Sequence, residues 1–399
     1  MTPVAERSIV LGVCGGVAAY KAAVLASSLT RAGARVQTVL TRSATEFIAP
    51  LTFQSLTRQS VYVDVFDERD PGRIAHIALA DAADLIVVAP ATADAIGRIA
   101  HGLGDDMLTT TLLAATCPVV LAPAMNVHMY ENPIVRRNLD SLAELGYWVA
   151  EPGTGPLACG YTGKGRLMEP EDIVEFACMA LTPKLLSGRS VVVTAGPTRE
   201  RIDPVRHLAN DSTGTMGYEL ARMAWRMGAR VTLVSGPVAL APPLGVDLVS
   251  VVSAADMLEA VARRAAGADA LVMAAAVGDF RPLSAAAQKI KKADGEDLTL
   301  TLTQNPDILK TVARSSARPR FVLGFAAETQ DAQARAREKL AAKGLDMIAC
   351  NNVLEEGAGF GAGTNRVTLI GRDGSEEALP LMPKREVAEA MLVRLAARL

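Results

Sequence analysis

Ser8-Ile9-Val10-Leu11-Gly12-Val13-Cys14-Gly15-Gly16-Val17-Ala18-Ala19-Tyr20-Lys21 is the stretch that decides the fold. Its first half is a short apolar run, the pattern of a strand buried on both faces of a parallel sheet. Gly15 and Gly16 break the run and open a helix from about Val17 to Ala32, which Gly33 ends. Ala34 to Leu40 is the next apolar strand. Strand, glycine turn, helix and strand form a β-α-β unit, so the chain begins as an α/β sheet protein. Gly12, Gly15 and Gly16 do not spell GxGxxG, which weakens a dinucleotide reading. Bare backbone at a helix N-terminus still suits a phosphate.

Outward from that unit the pattern repeats. Asp84 to Ala89 is a strand that breaks at Pro90-Ala91-Thr92-Ala93-Asp94. Val119 to Ala122 is another, and it breaks at Pro123-Ala124-Met125-Asn126-Val127-His128-Met129-Tyr130. Proline donates nothing to a ladder, so each strand stops there. Two strands ending in the same Ala-Pro-Ala corner are expected to be neighbours opening onto one crevice, at the carboxyl ends where open α/β sheets bind ligands. The second corner gathers an amide, an imidazole, two thioethers and a phenol. A packing loop with Asn126 capping the helix that starts near Pro133 fits the same residues. Glu151 to Arg166 is a long glycine-rich loop centred on Cys159, and loops of that length are usually functional or disordered. A thiol there can move a proton as the loop closes, and an incidental cysteine fits equally well. His76, before the helical run Ile77 to Ala82, fits either a structural histidine or a base titrating near neutral pH.

A length of 399 residues exceeds one core of ordinary size, so two domains are expected, 1–188 and 189–399, joined through Thr182 to Gly188. Hydrophobic residues are 50% and charged residues 21%, the balance of a soluble globular protein. A net charge of −2 recruits neither nucleic acid nor an anionic membrane. Aromatic residues at 4% rule out a stacking platform for single strands. Cys14, Cys117, Cys159, Cys178 and Cys350 lack metal spacing, which points to a reducing cytoplasm. No signal-peptide pattern and no run of membrane-spanning length is expected.

The second half restarts the alternation. Strands are expected near Arg189 to Thr194, Arg230 to Val234, Leu248 to Val252, Ala270 to Ala274, Phe321 to Gly324 and Asp346 to Ala349. Helices are expected near Gly217 to Met227, Ala254 to Ala266, Ile308 to Ser315, Asp331 to Lys343 and Glu386 to Leu399. Asn210-Asp211-Ser212-Thr213-Gly214-Thr215-Met216-Gly217 leads into a helix with small hydroxyls and glycines, which makes an anion cradle or a plain cap. Lys289-Ile290-Lys291-Lys292 sits on an expected arm, Lys289 to Thr303, turning at Asp294-Gly295. It reads as a solvated charge run or as a triphosphate clamp beside Asp279. Pro306 near N1 and Asp307 start a helix. Lys339 and Lys343 are spaced i,i+4 and can reach one ligand. Gly357 to Asn365 is a glycine lid carrying Phe360. Arg372-Asp373-Gly374 is a hairpin turn.

In order along both halves, these motifs resemble the bifunctional phosphopantothenoylcysteine decarboxylase / phosphopantothenate–cysteine ligase family of coenzyme A biosynthesis. The first half is similar to FMN-dependent cysteine decarboxylases through Gly15 to Lys21, His76, Pro90 to Asp94, Pro123 to Tyr130, Ala158-Cys159-Gly160 and Gly165-Arg166. The second is similar to the CTP-dependent ligase through Gly196 to Glu200, Asn210, Ala274 to Pro282, Lys289 to Lys292, Asn305 to Leu309 and Gly324 to Thr329. The resemblance implies a flavodoxin-like, Rossmann-like N-terminal parallel sheet and a C-terminal Rossmann-like ligase domain. It implies FMN at Gly15, Gly16, Thr41, Pro90, Thr92 and Asp94. It implies CTP, with Mg²⁺ carried mainly on its phosphates, at Met273, Ala274, Ala275, Asp279, Lys289, Pro306, Asp307, Ile308, Leu309, Phe325, Lys339 and Lys343. His76, Asn126 and Cys159 would serve decarboxylation; Asn210 and Lys289 would serve ligation through an acyl-cytidylate. The substrates would be 4′-phosphopantothenate and L-cysteine. The implied assembly is a homo-oligomer with trimeric decarboxylase halves sharing sites between subunits and dimeric ligase halves.

Some positions depart from the family. Tyr130 stands where Trp is usual, Asp94 where Asn is usual and Leu167 where Met is usual. Thr215 replaces a usual Lys, and His207 a usual aromatic. A peptidyl-cysteine decarboxylase or flavin prenyltransferase fused to a different nucleotide-binding domain would lack the CTP motifs. A nicotinamide oxidoreductase would want GxGxxG, and a flavin-binding regulator would not need His76, Asn126 and Cys159 together.

Overall fold

The computed structural model describes residues 2–67, 69, 72–156, 160–292, 297–328, 330–352, 354–359 and 361–399. The chain divides into two units, Met1–Thr182 and Pro183–Leu399. Leu186, expected in the linker, is fully buried in the core of the second unit.

The first unit is a six-stranded parallel sheet in the order Val61–Tyr62, Arg35–Leu40, Ser8–Val13, Leu85–Ala91, Val119–Pro123, Trp148–Val149. Every residue of Leu85–Ala91 is buried. Ile9, Leu11 and Val13 pack on one side with Leu25, Leu29 and Ile173. Val10 and Cys14 pack on the other with Ile96, Leu108 and Leu112. Two-sided burial is why these strands read as unbroken apolar runs. Each Leu, Ile or Val so buried contributes about 1.5–3 kcal/mol. The strand order reverses direction between Ser8–Val13 and Leu85–Ala91, so the crevice of a doubly wound sheet opens where Gly15-Gly16 and Pro90 leave those strands. Ala91 lies beside Pro123 in the ladder, so the two Ala-Pro-Ala corners are neighbours.

Two local expectations change. Asn126 caps the short helix Val127–Glu131 by accepting from the His128 N–H at 2.8 Å. Asn132 takes the expected place at Pro133–Glu144. Part of the glycine-rich loop is ordered as an antiparallel pair, Gly153–Pro156 with Thr162–Arg166. Cys159 lies outside the described residues, as does Phe360 of the glycine lid.

The second unit is an eight-stranded sheet in the order Asp247–Ser250, Arg230–Ser235, Ser190–Ala195, Ala270–Met273, Phe321–Glu328, Met347–Asn352, Thr368–Gly371, Glu376–Ala378. The first six strands run parallel and the last two are antiparallel. The helices Thr215–Arg226 and Lys384–Ala396 cover one face. Ala254–Ala265, Ile308–Ala313 and Ala332–Lys343 cover the other. The expected arm is rooted by antiparallel pairing of Phe280–Pro282 with Leu302–Gln304, while its expected turn at Asp294-Gly295 lies outside the described residues. Asp307, rather than a residue before Pro306, is the cap of its helix: its carboxylate accepts from the Lys310 N–H at 2.9 Å, and Pro306 stands outside the first turn.

Candidate active sites at the carboxyl edges of the two sheets

In the first unit two adjoining cavities follow the switch point. One, of about 490 Å³, is lined by Gly15, Gly16, Lys21, Pro90, Thr92, Met125, Asn126, Gly165 and Arg166 among others. The other, of about 700 Å³, is lined by Cys14, Gly15, Thr41, Ser43, Thr92, Asp94, Arg98, Asp105 and others. Gly15 cannot carry a side chain, since a Cβ would lie 2.7 Å from the Ser43 backbone. A Cβ on Gly16 would have nothing within 4 Å, so bare backbone there borders open space. The helix Ala19–Arg31 has no side-chain cap; its Ala19 and Lys21 N–H groups turn back to the carbonyls of Gly16 at 2.9 Å and Ala18 at 3.0 Å, and the positive end of its dipole lies at the same place. Thr41 and Thr92 each cap a helix, accepting from Ala44 N–H at 3.2 Å and Ala95 N–H at 3.3 Å. The Thr41 hydroxyl can still donate its proton to a phosphate, whereas the Thr92 hydroxyl also hydrogen-bonds the Cys14 thiol. A bare glycine turn at a helix N-terminus and hydroxyls beside Val17, Pro90 and Leu167 fit a phosphorylated planar cofactor in size and polarity.

The structure therefore brings Gly15, Gly16, Thr41, Pro90, Thr92, Asp94 and Asn126 together. His76 lines neither cavity; it is half-buried on the helix Ala75–Ala82, its Nδ1 is buried without a partner, and Ile74 and Ile77 beside it are exposed. Asp94 does not leave a bare charge, because Arg98 binds it at 2.9 Å and also holds Asp105. Tyr130 is 2% exposed, and its hydroxyl donates to Glu151 and accepts from Arg136, both at 2.5 Å. An indole could donate but not accept there. Burial, then the Glu151 carboxylate, pushes the Tyr130 phenol above its usual range. Burial pushes the Cys14 thiol up to about 12, so it stays protonated.

Residue-level reading of the sequence assigned no role to Lys21 or Glu169. Lys21 is 7% exposed and binds both Glu169 oxygens at 2.9 Å; Glu169 also holds Arg166 at 3.0 Å. Lys21 and Arg166 face the cavity that Asn126 lines. The signal was a single charge inside the apolar helix start Ala18-Ala19-Tyr20-Lys21-Ala22-Ala23.

In the second unit the loop Ala274–Asp279 leaves its strand beside Ser190–Ala195. It is held by buried threonines: Thr194 accepts from Ala275 N–H at 3.1 Å and Thr198 from Gly278 N–H at 2.9 Å. Asn305 donates to the Gly278 carbonyl at 2.8 Å. Asn210 donates to the carbonyls of Ala276 and Val277, both at 3.2 Å. A cavity of about 560 Å³ is lined by Met273, Ala275, Asp279, Pro306, Asp307, Ile308, Leu309, Phe325, Lys339 and Lys343 among others. Ala274 and Phe325 also line a smaller cavity of about 80 Å³, with the Ser212–Gly217 turn, Asn365 and the buried Lys384. Lys339 and Lys343 share one cavity as their spacing implies, but each has a carboxylate: Glu328 at 2.5 Å and Asp307 at 3.0 Å. Lys289 is exposed on the arm and lines neither cavity. Among the described residues no group of three or more His, Cys, Asp or Glu side chains could hold a metal ion. Among them, too, no helix is long and apolar enough to cross a membrane.

A doubly wound sheet with an uncapped glycine turn at its switch point, followed by a second sheet with its own cavity, defines a two-domain α/β protein of flavoprotein type. The family model for flavoproteins matches residues 2–182, and that for the DNA/pantothenate metabolism flavoprotein C-terminal domain matches residues 186–399. The coenzyme A biosynthesis bifunctional protein CoaBC of Bacillus subtilis is 53% identical over 98% of this chain and 97% of its own. That of Vibrio parahaemolyticus is 46% identical over 99% of both. A crystal structure of a CoaBC C-terminal domain, 40% identical, covers 54% of this chain and 97% of its own with a TM-score of 0.46. The chain belongs to the family of coenzyme A biosynthesis bifunctional proteins.

Proposed function

We propose that the second unit joins 4′-phosphopantothenate to L-cysteine using CTP, and that the first unit decarboxylates the product to 4′-phosphopantetheine with FMN. The chain is a bifunctional enzyme of coenzyme A biosynthesis with decarboxylase and ligase halves. The observation that carries the finer reading is one chain with a flavin-sized cavity at the switch point of the first sheet and a nucleotide-sized cavity beside Met273 and Phe325 of the second.

In ligation the substrate carboxylate attacks the α-phosphorus of CTP, pyrophosphate leaves, and an acyl-cytidylate forms. The amine of cysteine attacks the acyl carbon, loses its proton, and CMP leaves. Asn210 fixes the carbonyls that face the acyl group, and Lys289 steadies the phosphates from its place on the arm. Lys339 and Lys343 exchange Glu328 and Asp307 for phosphate oxygens, and Mg²⁺ arrives with the nucleotide.

FMN, when bound, supplies the two-electron oxidation that makes the thiol-bearing carbon a sink for the electrons released with CO₂. Asn126 donates to the departing carboxylate. Cys159 protonates the enethiolate that remains, and the two electrons taken up at oxidation would return from the reduced cofactor to complete 4′-phosphopantetheine. His76 acts at oxidation and decarboxylation from a neighbouring subunit, a reading supported by its place outside the crevice and by exposed Ile74 and Ile77 beside it. The assembly joins trimeric decarboxylase halves and dimeric ligase halves, and works in the cytoplasm. Cys159→Ser tests the assignment: ligation continues, CO₂ is still lost, and the reaction stalls at the enethiolate. Normal 4′-phosphopantetheine output from that variant removes Cys159 from the mechanism.

A further inference from the structure

The hairpin Arg199–Arg201 with His207–Ala209 carries Asn210 directly after its second strand and Asp203 in its turn. Asp203 is 1% exposed. Its Oδ1 accepts from the backbone N–H of Val205 at 2.8 Å and of Arg206 at 2.7 Å. Its Oδ2 accepts from Arg206 Nε at 3.0 Å and from the backbone N–H of Ile290 at 3.1 Å. Arg206 Nη2 in turn donates to the Ile290 carbonyl at 2.5 Å. Both backbone groups of Ile290 are thus held by one buried carboxylate and its arginine. A second tie, Ala286 N–H to the Ile202 carbonyl at 2.9 Å, pins the arm four residues earlier.

Lys289 is bonded to Ile290, and consecutive Cα atoms are about 3.8 Å apart. A clamp on Ile290 therefore fixes where the Lys289 side chain is rooted on an otherwise exposed arm. The other end of the same hairpin sets Asn210 against the Ala276 and Val277 carbonyls. Burial of the Asp203 carboxyl would raise its pKa; the three backbone N–H donors and Arg206 outweigh that and hold it down to about 2. It is a fixed anion at working pH.

We propose that Asp203 is a positioning residue of the ligase reaction: through Ile290 it anchors the Lys289 arm at a set distance from Asn210. The inference rests on the ligase role given to Lys289. The hairpin is then the ruler between the group that orders the acyl site and the group that steadies the phosphates, and neither ligand needs to touch Asp203.

The test uses the full chain and CMP release as readout, with Asp203→Asn, Ile290→Pro and Lys289→Gln alone and in pairs. Ile290→Pro removes the clamped N–H and also fixes φ at 290 and restricts Lys289, so its loss is read beside that of Asp203→Asn, which leaves the arm's backbone chemistry unchanged. Asp203→Asn and Ile290→Pro should each lower kcat roughly ten- to a hundredfold, the scale of a small misplacement of a reacting group, while KM for CTP changes less than about threefold. In the Lys289→Gln background neither should add more than about a twofold loss. Equal losses in both backgrounds, or wild-type CMP release from Ile290→Pro, overturn the proposal. A wild-type rate from Lys289→Gln alone would instead remove the role of Lys289. If Lys289→Gln is too slow to measure, tryptic cleavage of Lys289–Ile290 relative to Lys291–Lys292 decides. The ratio rises in Asp203→Asn if the clamp exists as described, and an unchanged ratio refutes it.

Discussion

Gly165→Ala should disable the flavin half of this protein and leave the ligase half running. Gly165 lies in the strand Thr162–Arg166, with φ of 154° and its carbonyl accepting from the Met125 N–H at 3.0 Å. A Cβ there would lie 2.3 Å from the Met125 carbonyl oxygen and 3.5 Å from the Asn126 carbonyl carbon. Ordinary contact needs about 3.5 Å, so the hairpin must retreat from the Asn126 turn by roughly 1 Å. The obstacle is backbone, which cannot rotate aside as a side chain can. Overpacking costs about 1–3 kcal/mol, and the unfavourable φ adds roughly 1 kcal/mol. Against a stability of about 5–15 kcal/mol the unit stays folded. A displacement of about 1 Å at a reacting group costs on the order of 10²-fold in rate. The assay supplies phosphopantothenoylcysteine and follows CO₂, with the visible absorbance of retained FMN and CMP release as controls. Gly163→Ala is the comparison, because a Cβ there meets only the Val127 side chain, at 2.7 Å; its loss should be smaller. Wild-type decarboxylation by folded, FMN-loaded Gly165→Ala would refute the claim that this hairpin packs against the Asn126 turn.

Tyr130→Phe should cost the first unit about 1 kcal/mol, the net worth of one buried hydrogen bond, read as a lowering of Tm by roughly 2–4 °C. No change would mean that Glu151, Arg136 and Lys164 hold together without the phenol. Asp94→Asn should alter FMN affinity by less than about threefold, since Arg98 already offsets an exposed carboxylate; a change above tenfold in a flavin titration contradicts that. Asp203 has a folded pKa of about 2 against an ordinary 3.8, so its stabilisation is complete above 3.8 and is lost as pH falls towards 2. Asp256, Asp269 and Asp307 are depressed in the same direction. Acid titration of the second unit should therefore steepen below about pH 4, and Asp203→Asn should flatten that limb; an unchanged limb denies the carboxylate its hydrogen bonds.

The strands were legible because two-sided burial writes them as apolar runs such as Leu85-Ile86-Val87-Val88, and because Pro90 and Pro123 end two of them at the crevice. Edges were less so. Phe321–Glu328 continues four residues past Gly324 because Phe325 to Glu328 pair with Ala349 to Asn352, a long-range ladder with no local mark. The capping amide at Pro133–Glu144 was misassigned to Asn126 because two Asx caps lie six residues apart and either satisfies a nearby N–H. Charge partners stayed hidden for the same reason. Lys339 and Lys343 read as free cations, yet Glu328 and Asp307 reach them from other elements. Asp203 carries no local mark of its partner, and only the fold brings Ile290 to it across 87 positions.

One reaction tests the central claim directly. Purified protein loaded with FMN, given 4′-phosphopantothenate, L-cysteine, CTP and Mg²⁺, should release CMP, CO₂ and 4′-phosphopantetheine in equal amounts, and omitting CTP should abolish all three. CMP and CO₂ that form independently of each other's substrate, or no consumption of CTP at all by the folded yellow protein, would contradict the account.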